Sequence, residues 1–201
     1  MLKNKILDYL SNYTTITEEL EKAISESTVF RTYKKGTFLL QEGEVSDECF
    51  FVLKGCVRSY FVKDGEEKTI TFYTEEQSIT HSITGEPMPS KYTLECTEDT
   101  IVSIGNPQIE KEAFQKYPQL ASLSRIIAER VLNKEQESFI QFKTSTAEER
   151  YLHLVETRPD LVQRVSQYHI ASYLGIQPES LSRIRTVSYT HLRAHETTDT
   201  L

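Results

Sequence analysis

Glu179 and Arg183 stand one helical turn apart in the segment IQPESLSRIR. On the outward face of a helix they place a carboxylate and a guanidinium side by side. Arginine can donate a fork to the O6 and N7 of guanine, and glutamate can accept from the N4 of cytosine. The residues before them supply a mount for such a face. Ser166 is suited to cap a helix, and Ile170, Ala171 and Leu174 give that helix one apolar side. Gly175 ends it, Ile176 can plug the corner, and Pro178 suits the first position of a second helix. With Leu181 and Ile184 turned inward, Glu179, Ser180 and Arg183 face outward together. The pattern reads as a helix-turn-helix, whose second helix enters the DNA major groove. An ordinary helical hairpin is the bland alternative. The residues predicted to contact DNA are Ser166, Gln167, Gln177, Glu179, Ser180, Arg183 and Arg185.

The elements that must hold this module lie upstream. Thr17, followed by Glu18 and Glu19, predicts a helix start with Leu20, Ala23 and Ile24 on one side. From Val29 the apolar period changes to two. Strand-like runs at Cys49–Leu53, Cys56–Val62, Lys68–Tyr73, Thr93–Cys96 and Thr100–Ile104 alternate with turns at Gly36, Gly43, Gly55 and Gly65. Such short strands with regular turns predict an antiparallel barrel or roll. Ile109–Tyr117 reads as a short helix, and a pattern without Gly or Pro then runs from Leu120 to about Phe142. Its stripe of Leu120, Leu123, Ile127, Val131 and Phe139 predicts a dimer seam, the alternative being packing against the chain's own roll. Lys143-Thr144-Ser145 is the expected hinge. Thr146 and Glu149 have capping-box spacing for a helix over Ala147–Glu156.

Composition limits what such a chain can be. It has 201 residues, 38% hydrophobic and 26% charged, values that describe a folded globular protein. No stretch approaches a membrane span, and MLKNKILDYL lacks the apolar core of a signal peptide, so the expected location is the cytoplasm and no membrane contact is expected. The net charge is −7, but it is unevenly placed. Residues 1–142 carry 16 basic and 23 acidic side chains, whereas 143–185 carry six and five. The acidity therefore sits away from the candidate DNA-binding module. Cys49, Cys56 and Cys96 have no CxxC spacing and read as small buried hydrophobes. Four ligands for zinc or an iron–sulfur cluster cannot be assembled, nor can a nucleophile–base pair or phosphate loop, so neither a cofactor nor an enzyme activity is expected.

A roll, a long helix and a helix-turn-helix in that order resemble the Crp–Fnr family of bacterial transcription regulators. The residues that carry the resemblance are GTFLLQEGEVSDECFFVLKGCVRSYF and AEERYLHLVETRPDL, followed by IASYLGIQPESLSRIR. It implies an α+β fold: a cyclic-nucleotide-binding-domain-like antiparallel β-roll over 1–118, a dimerisation helix over 119–143, and an incomplete winged-helix-like helix-turn-helix over 144–185. It also implies a homodimer on a palindromic operator, with RNA polymerase as a further partner. Pro178 stands where relatives often have a basic residue.

Members of this family that bind cyclic nucleotides carry a Gly-Glu pair for the ribose and an Arg for the phosphate. Here Ser78 and Ile79 fall at the first place, and the second falls among Met88, Pro89 and Ser90. Gly85-Glu86 comes too late, and Lys91 offers a point charge without an arginine's fork. The resemblance thus implies a degenerate effector pocket at Ser78, Ile79, Ser90 and Lys91, with the effector unknown. His81 is a lone candidate ligand. The segment TVSYTHLRAHETTDTL, residues 186–201, lacks an apolar stripe and looks like a translated sequencing-adapter scar. It is expected to be a non-native tail replacing a basic end, and its His191 and His195 are not expected to bind metal. The competing function is a ligand-binding signalling module that acts through protein contacts instead of DNA.

Overall fold

The computed structural model describes residues 2–80 and 88–186. Where the side-chain period is two, eight strands form among the described residues: β1 (Val29–Tyr33), β2 (Phe38–Leu40), β3 (Cys49–Lys54), β4 (Val57–Lys63), β5 (Glu66–Tyr73), β6 (Ser78–Thr80), β7 (Thr93–Cys96) and β8 (Thr100–Gly105). They make two four-stranded sheets, ordered β1-β8-β3-β6 and β2-β7-β4-β5. The ladders of β8 with β1 and β3, of β3 with β6, and of β7 with β2 and β4 are antiparallel. The expected roll is present. Between the sheets lies a core of Leu40, Phe50, Val52, Val57, Ile79, Leu94, Cys96, Val102 and Ile104. Cys56 and Cys96 are buried and Cys49 is half-buried, all three with free thiols.

Strand β3 alternates between two cores. Phe50 and Val52 enter the roll, while Leu53 joins a second cluster with Ile6, Leu10, Leu20, Ala23, Tyr117, Leu120 and Leu123, against which Phe51 also packs. The helices of that cluster are α1 (Leu2–Ser11), α2 (Glu18–Ser27), α3 (Pro107–Lys116) and the start of α4 (Gln119–Thr144). Thr17 caps α2 by accepting from the Leu20 N–H at 3.2 Å, as its sequence position suggested. Helix α3 begins at Pro107 behind the Asn106 cap, two residues before the expected start. Helix α1 had no counterpart in the sequence reading. Its two buried residues, Ile6 and Leu10, make a short apolar stripe that becomes meaningful only against α2 and β3.

Two expectations about α4 change. Leu120 and Leu123 are each 7% exposed and belong to their own chain's core, with Ile127 partly packed on it. The opening turns of the stripe are therefore intramolecular. Further along, Val131, Leu132, Phe139 and Ile140 are exposed. The expected hinge is also displaced: helix continues through Lys143 and Thr144, and the break falls at Ser145 and Thr146.

The chain divides into two compact units, Met1–Val62 with Ile70–Lys134 and Lys63–Thr69 with Glu135–Leu201, so the division falls inside α4. In the second unit, α5 (Ala147–Thr157) starts on the expected capping box of Thr146 and Glu149. It is followed by α6 (Pro159–Arg164) and α7 (Gln167–Leu174), then by a helical stretch over 178–186, here α8. Leu154, Leu161, Ile170, Ala171, Leu174 and Leu181 are buried. Among the described residues no helix is long and apolar enough to cross a membrane. His81, Gly85, Glu86 and the tail beyond Thr186 lie outside the described residues.

Gly55, in the turn from β3 to β4, has φ +107°, and a Cβ there would stand 2.6 Å from Thr100 Cα. Gly43 has φ +87° with nothing within 4 Å of such a Cβ. Gly43→Ala should cost about 1 kcal/mol from backbone strain alone. Gly55→Ala should cost about 3 kcal/mol or more, because backbone atoms must also move. Urea unfolding of the two variants checks this: equal midpoints would mean that the close approach at Thr100 is relieved without cost.

Candidate nucleic-acid interface

The turn between α7 and α8 forms for the local reasons visible in its residues. Ser166 Oγ accepts from the His169 N–H at 3.2 Å and caps α7. Gly175 ends it with φ 70° and ψ 31°, the left-handed conformation that costs a glycine least. The Ile176 N–H then donates to the Ala171 carbonyl at 3.0 Å, which closes the turn. Gln177 accepts from the Ser180 and Leu181 N–H groups, so α8 opens on it with Pro178 in its first turn. Leu181 is buried beneath α8.

This frame leaves a polar face open. Gln177, Glu179, Arg183 and Arg185 are exposed and Ser180 is half-buried. Glu179 and Arg183 are four residues apart on one helix, and neither makes a side-chain hydrogen bond or ion pair with another described residue. Both are free to engage a ligand. Ser166 is exposed but occupied as the α7 cap. Gln167 is half-buried and its Oε1 is buried without a protein partner, so its position is less open than that of the α8 residues.

One organising residue was not singled out in the sequence. The Arg150 guanidinium donates to the Leu174 carbonyl through Nε at 3.1 Å and Nη2 at 2.9 Å, and to the Ser145 carbonyl through Nη1 at 2.8 Å. Its carbon also lies 4.6 Å from the centre of the Phe142 ring. Phe142 in turn stands 3.3 Å from where a Gly175 Cβ would be. One side chain thus joins the end of α4, the start of α5 and the last turn of α7. Its planar fork matches these diverging carbonyls, which an ammonium cannot do at once. The AEER string marked it only as a helix residue. A second contact, also beyond sequence reasoning, is Ser172, whose Oγ donates to the Glu67 carbonyl at 3.0 Å and accepts from the Thr69 N–H at 2.9 Å.

The four residues expected to form an effector pocket do not converge. Ile79 is 1% exposed inside the roll core, whereas its neighbour Ser78 sits on the opposite face of β6. Ser90 is buried, donating to the Tyr92 carbonyl and accepting from the Tyr92 N–H. Lys91 is exposed. The physical reason is the period of two: adjacent residues on a strand face opposite sides. No group of three or more His, Cys, Asp or Glu able to hold a metal occurs among the described residues.

Comparison with known proteins places this architecture. Residues 30–117 match the cyclic nucleotide-binding domain. Over 170 residues, 78% of this chain and 68% of the relative, the sequence is 26% identical to the transcriptional activator protein Anr of Pseudomonas protegens. Among solved structures, FixK2 from Bradyrhizobium japonicum is similar at a TM-score of 0.67 and 23% identity, over 82% of this chain and 85% of that one. The global regulator CLP of Xanthomonas campestris is similar at a TM-score of 0.65 and 14% identity, over 85% and 90%. The fold class is that of a cyclic-nucleotide-binding-type roll followed by a long helix and a helical module. Residues 30–117 thus carry the cyclic nucleotide-binding domain, and the chain as a whole is similar in fold to these solved regulators.

Arg150→Lys should lower stability by about 2 kcal/mol, since one ammonium cannot satisfy the Leu174 and Ser145 carbonyls together. Urea unfolding followed by helical circular dichroism measures this. An unchanged midpoint would remove Arg150 from the role given to it.

Proposed function

We propose that this chain is a sequence-specific, DNA-binding transcription regulator that acts as a homodimer on a palindromic operator, in the cytoplasm and with RNA polymerase as a further partner. The observation that carries the reading is the unpaired Glu179 and Arg183 on the exposed face of α8, one turn apart and backed by the buried Leu181. A family of transcription regulators, including a relative named as an activator, supports it. Gln177, Ser180 and Arg185 extend the same contact, and Ser166 and Gln167 at the start of α7 lie on the proposed DNA side.

The effector pocket of the cyclic-nucleotide type is degenerate in this reading. Ile79 offers a buried methyl surface where a carboxylate would hold a ribose, and Ser90 is already engaged by its own loop. The dimer seam is assigned to the open turns of α4, where Leu132 and Phe139 lie seven residues apart and are 58% and 62% exposed. Val131 belongs to the same proposed seam, and Ile127 marks its edge. Leu120 and Leu123 support it from beneath, as core residues of their own chain.

Arg183→Ala should weaken binding to the preferred operator by about 1–3 kcal/mol and relax the preference at one guanine in each half-site. Half-sites are expected about 10 base pairs apart. Site selection from random DNA, then titration of single-base variants at fixed salt without added cyclic AMP, tests this. Equal weakening on every sequence would make Arg183 a phosphate contact. A requirement for cyclic AMP would restore a working nucleotide pocket.

Leu132→Asp with Phe139→Asp should convert a dimer to a monomer, because each buried carboxylate costs several kcal/mol at a two-fold seam. Sedimentation velocity reads the mass directly. A dimer that survives both changes would place the seam elsewhere.

A further inference from the structure

The outer face of the β1-β8-β3-β6 sheet carries a feature that DNA binding does not use. Pairing sets Phe51 opposite Ser103 on β8 and Ser78 on β6, and Cys49 opposite Gly105 and Thr80. Two adjacent rows of this face, Ser103–Phe51–Ser78 and Gly105–Cys49–Thr80, are therefore small or polar on either side of β3. Helices α1, α3 and α4 span them with larger apolar side chains, among them Ile6, Tyr9, Phe114, Leu123 and Ile127. Small residues below and large ones above leave a cavity of about 340 Å³. That falls in the range of small-molecule sites.

Its chemistry is selective. The Ser78 and Ser103 hydroxyls line the cavity, and neither bonds to another described residue. Glu110 is the only charged residue among the described lining, and it makes no ion pair with another described residue. Burial, with the Glu110 carboxylate, pushes the Cys49 thiol up, as expected where negative charge is disfavoured. A Cβ at Gly105 would come within 2.9 Å of Cys49 Sγ, so the floor is open only because that position is glycine.

We propose that this cavity binds an uncharged, mainly apolar molecule, about the size of an aromatic ring with a short chain, whose hydroxyl or carbonyl end meets the Ser78 and Ser103 hydroxyls. Among the described residues a phosphate or carboxylate ligand finds no cation here and meets Glu110 instead. Of the residues aligned with a cyclic-nucleotide pocket only Ser78 lines this site, since Ile79 lies on the other face of β6 and neither Ser90 nor Lys91 reaches it. The inference concerns binding alone and does not depend on the DNA-binding reading.

The test is a fluorine NMR titration of the full chain with para-fluorophenylbutanol, set against para-fluorophenylbutanoate, which differs in bearing a carboxylate. The alcohol should saturate one site per chain and bind at least about tenfold tighter than the acid. It should also slow iodoacetamide modification of Cys49, while the buried Cys56 and Cys96 remain unmodified with or without it. Ser103→Ala should weaken the alcohol about fivefold through loss of one hydrogen bond. Ser103→Leu should abolish binding by filling the floor; if that variant lacks a melting transition, Ala113→Leu fills the space from the helix side. Non-saturable binding, equal affinity for alcohol and acid, or unprotected Cys49 would each overturn the proposal. The charge comparison and Cys49 protection need only the unaltered chain.

Discussion

The first unit depends on β3 being buried on both faces. A strand with one wet face would show polar residues at every second position, yet CFFVLK keeps apolar side chains on both sides. Phe50 and Val52 help close the roll, and Phe51 and Leu53 give α1, α2 and α4 something to pack on. Without that second face, the N-terminal helices would have no apolar partner, and α4 would not be fixed at Leu120 and Leu123. The same two-sidedness explains the proposed cavity. Where β3 meets serines and glycine on its neighbours, the helices cannot close down completely.

In the second unit the equivalent constraint is the end of α7. Its last carbonyls must be satisfied, and no residue of α7 itself can reach them. The chain answers with the Ile176 N–H, which closes the turn, and with Arg150, which brings a planar donor from α5 to the Leu174 carbonyl. Because the same guanidinium holds Ser145, the orientation of the turn is tied to the point where α4 ends. The exposed face of α8 inherits its direction from this tie. Glu179 and Arg183 can stay unpaired because the helix beneath them is held by Leu181 and by backbone bonds, and not by their charges.

Much of this was legible in the residues. The glycine turns, the Thr17 and Thr146 caps, the Gly175 stop and the length of α4 all rest on local rules, in which a residue's neighbours in sequence are also its partners. The candidate DNA-reading face was legible for the same reason, being set by helical spacing over fewer than ten residues. Helix α1 was missed because its apolar stripe is two residues long and its partners lie far along the chain. The stripe on α4 was read as one seam because spacing tells which side of a helix is apolar, but not what covers it. Ile79 was placed in a pocket by alignment with Ser78, although a strand cannot turn both to one side.

The sequence by itself therefore determined the order of elements from α2 onward, most of their caps and turns, and the polar face of α8, since these depend on interactions within a few residues. Tertiary structure decided which side of each strand became core, that Leu120 and Leu123 serve their own chain, and that Arg150 gathers three segments around one guanidinium. It also decided that a cavity opens beside Ser78, Cys49 and Ser103. Those outcomes depend on pairing register and on contacts between residues that can lie more than a hundred positions apart, where no local pattern in the chain carries the information.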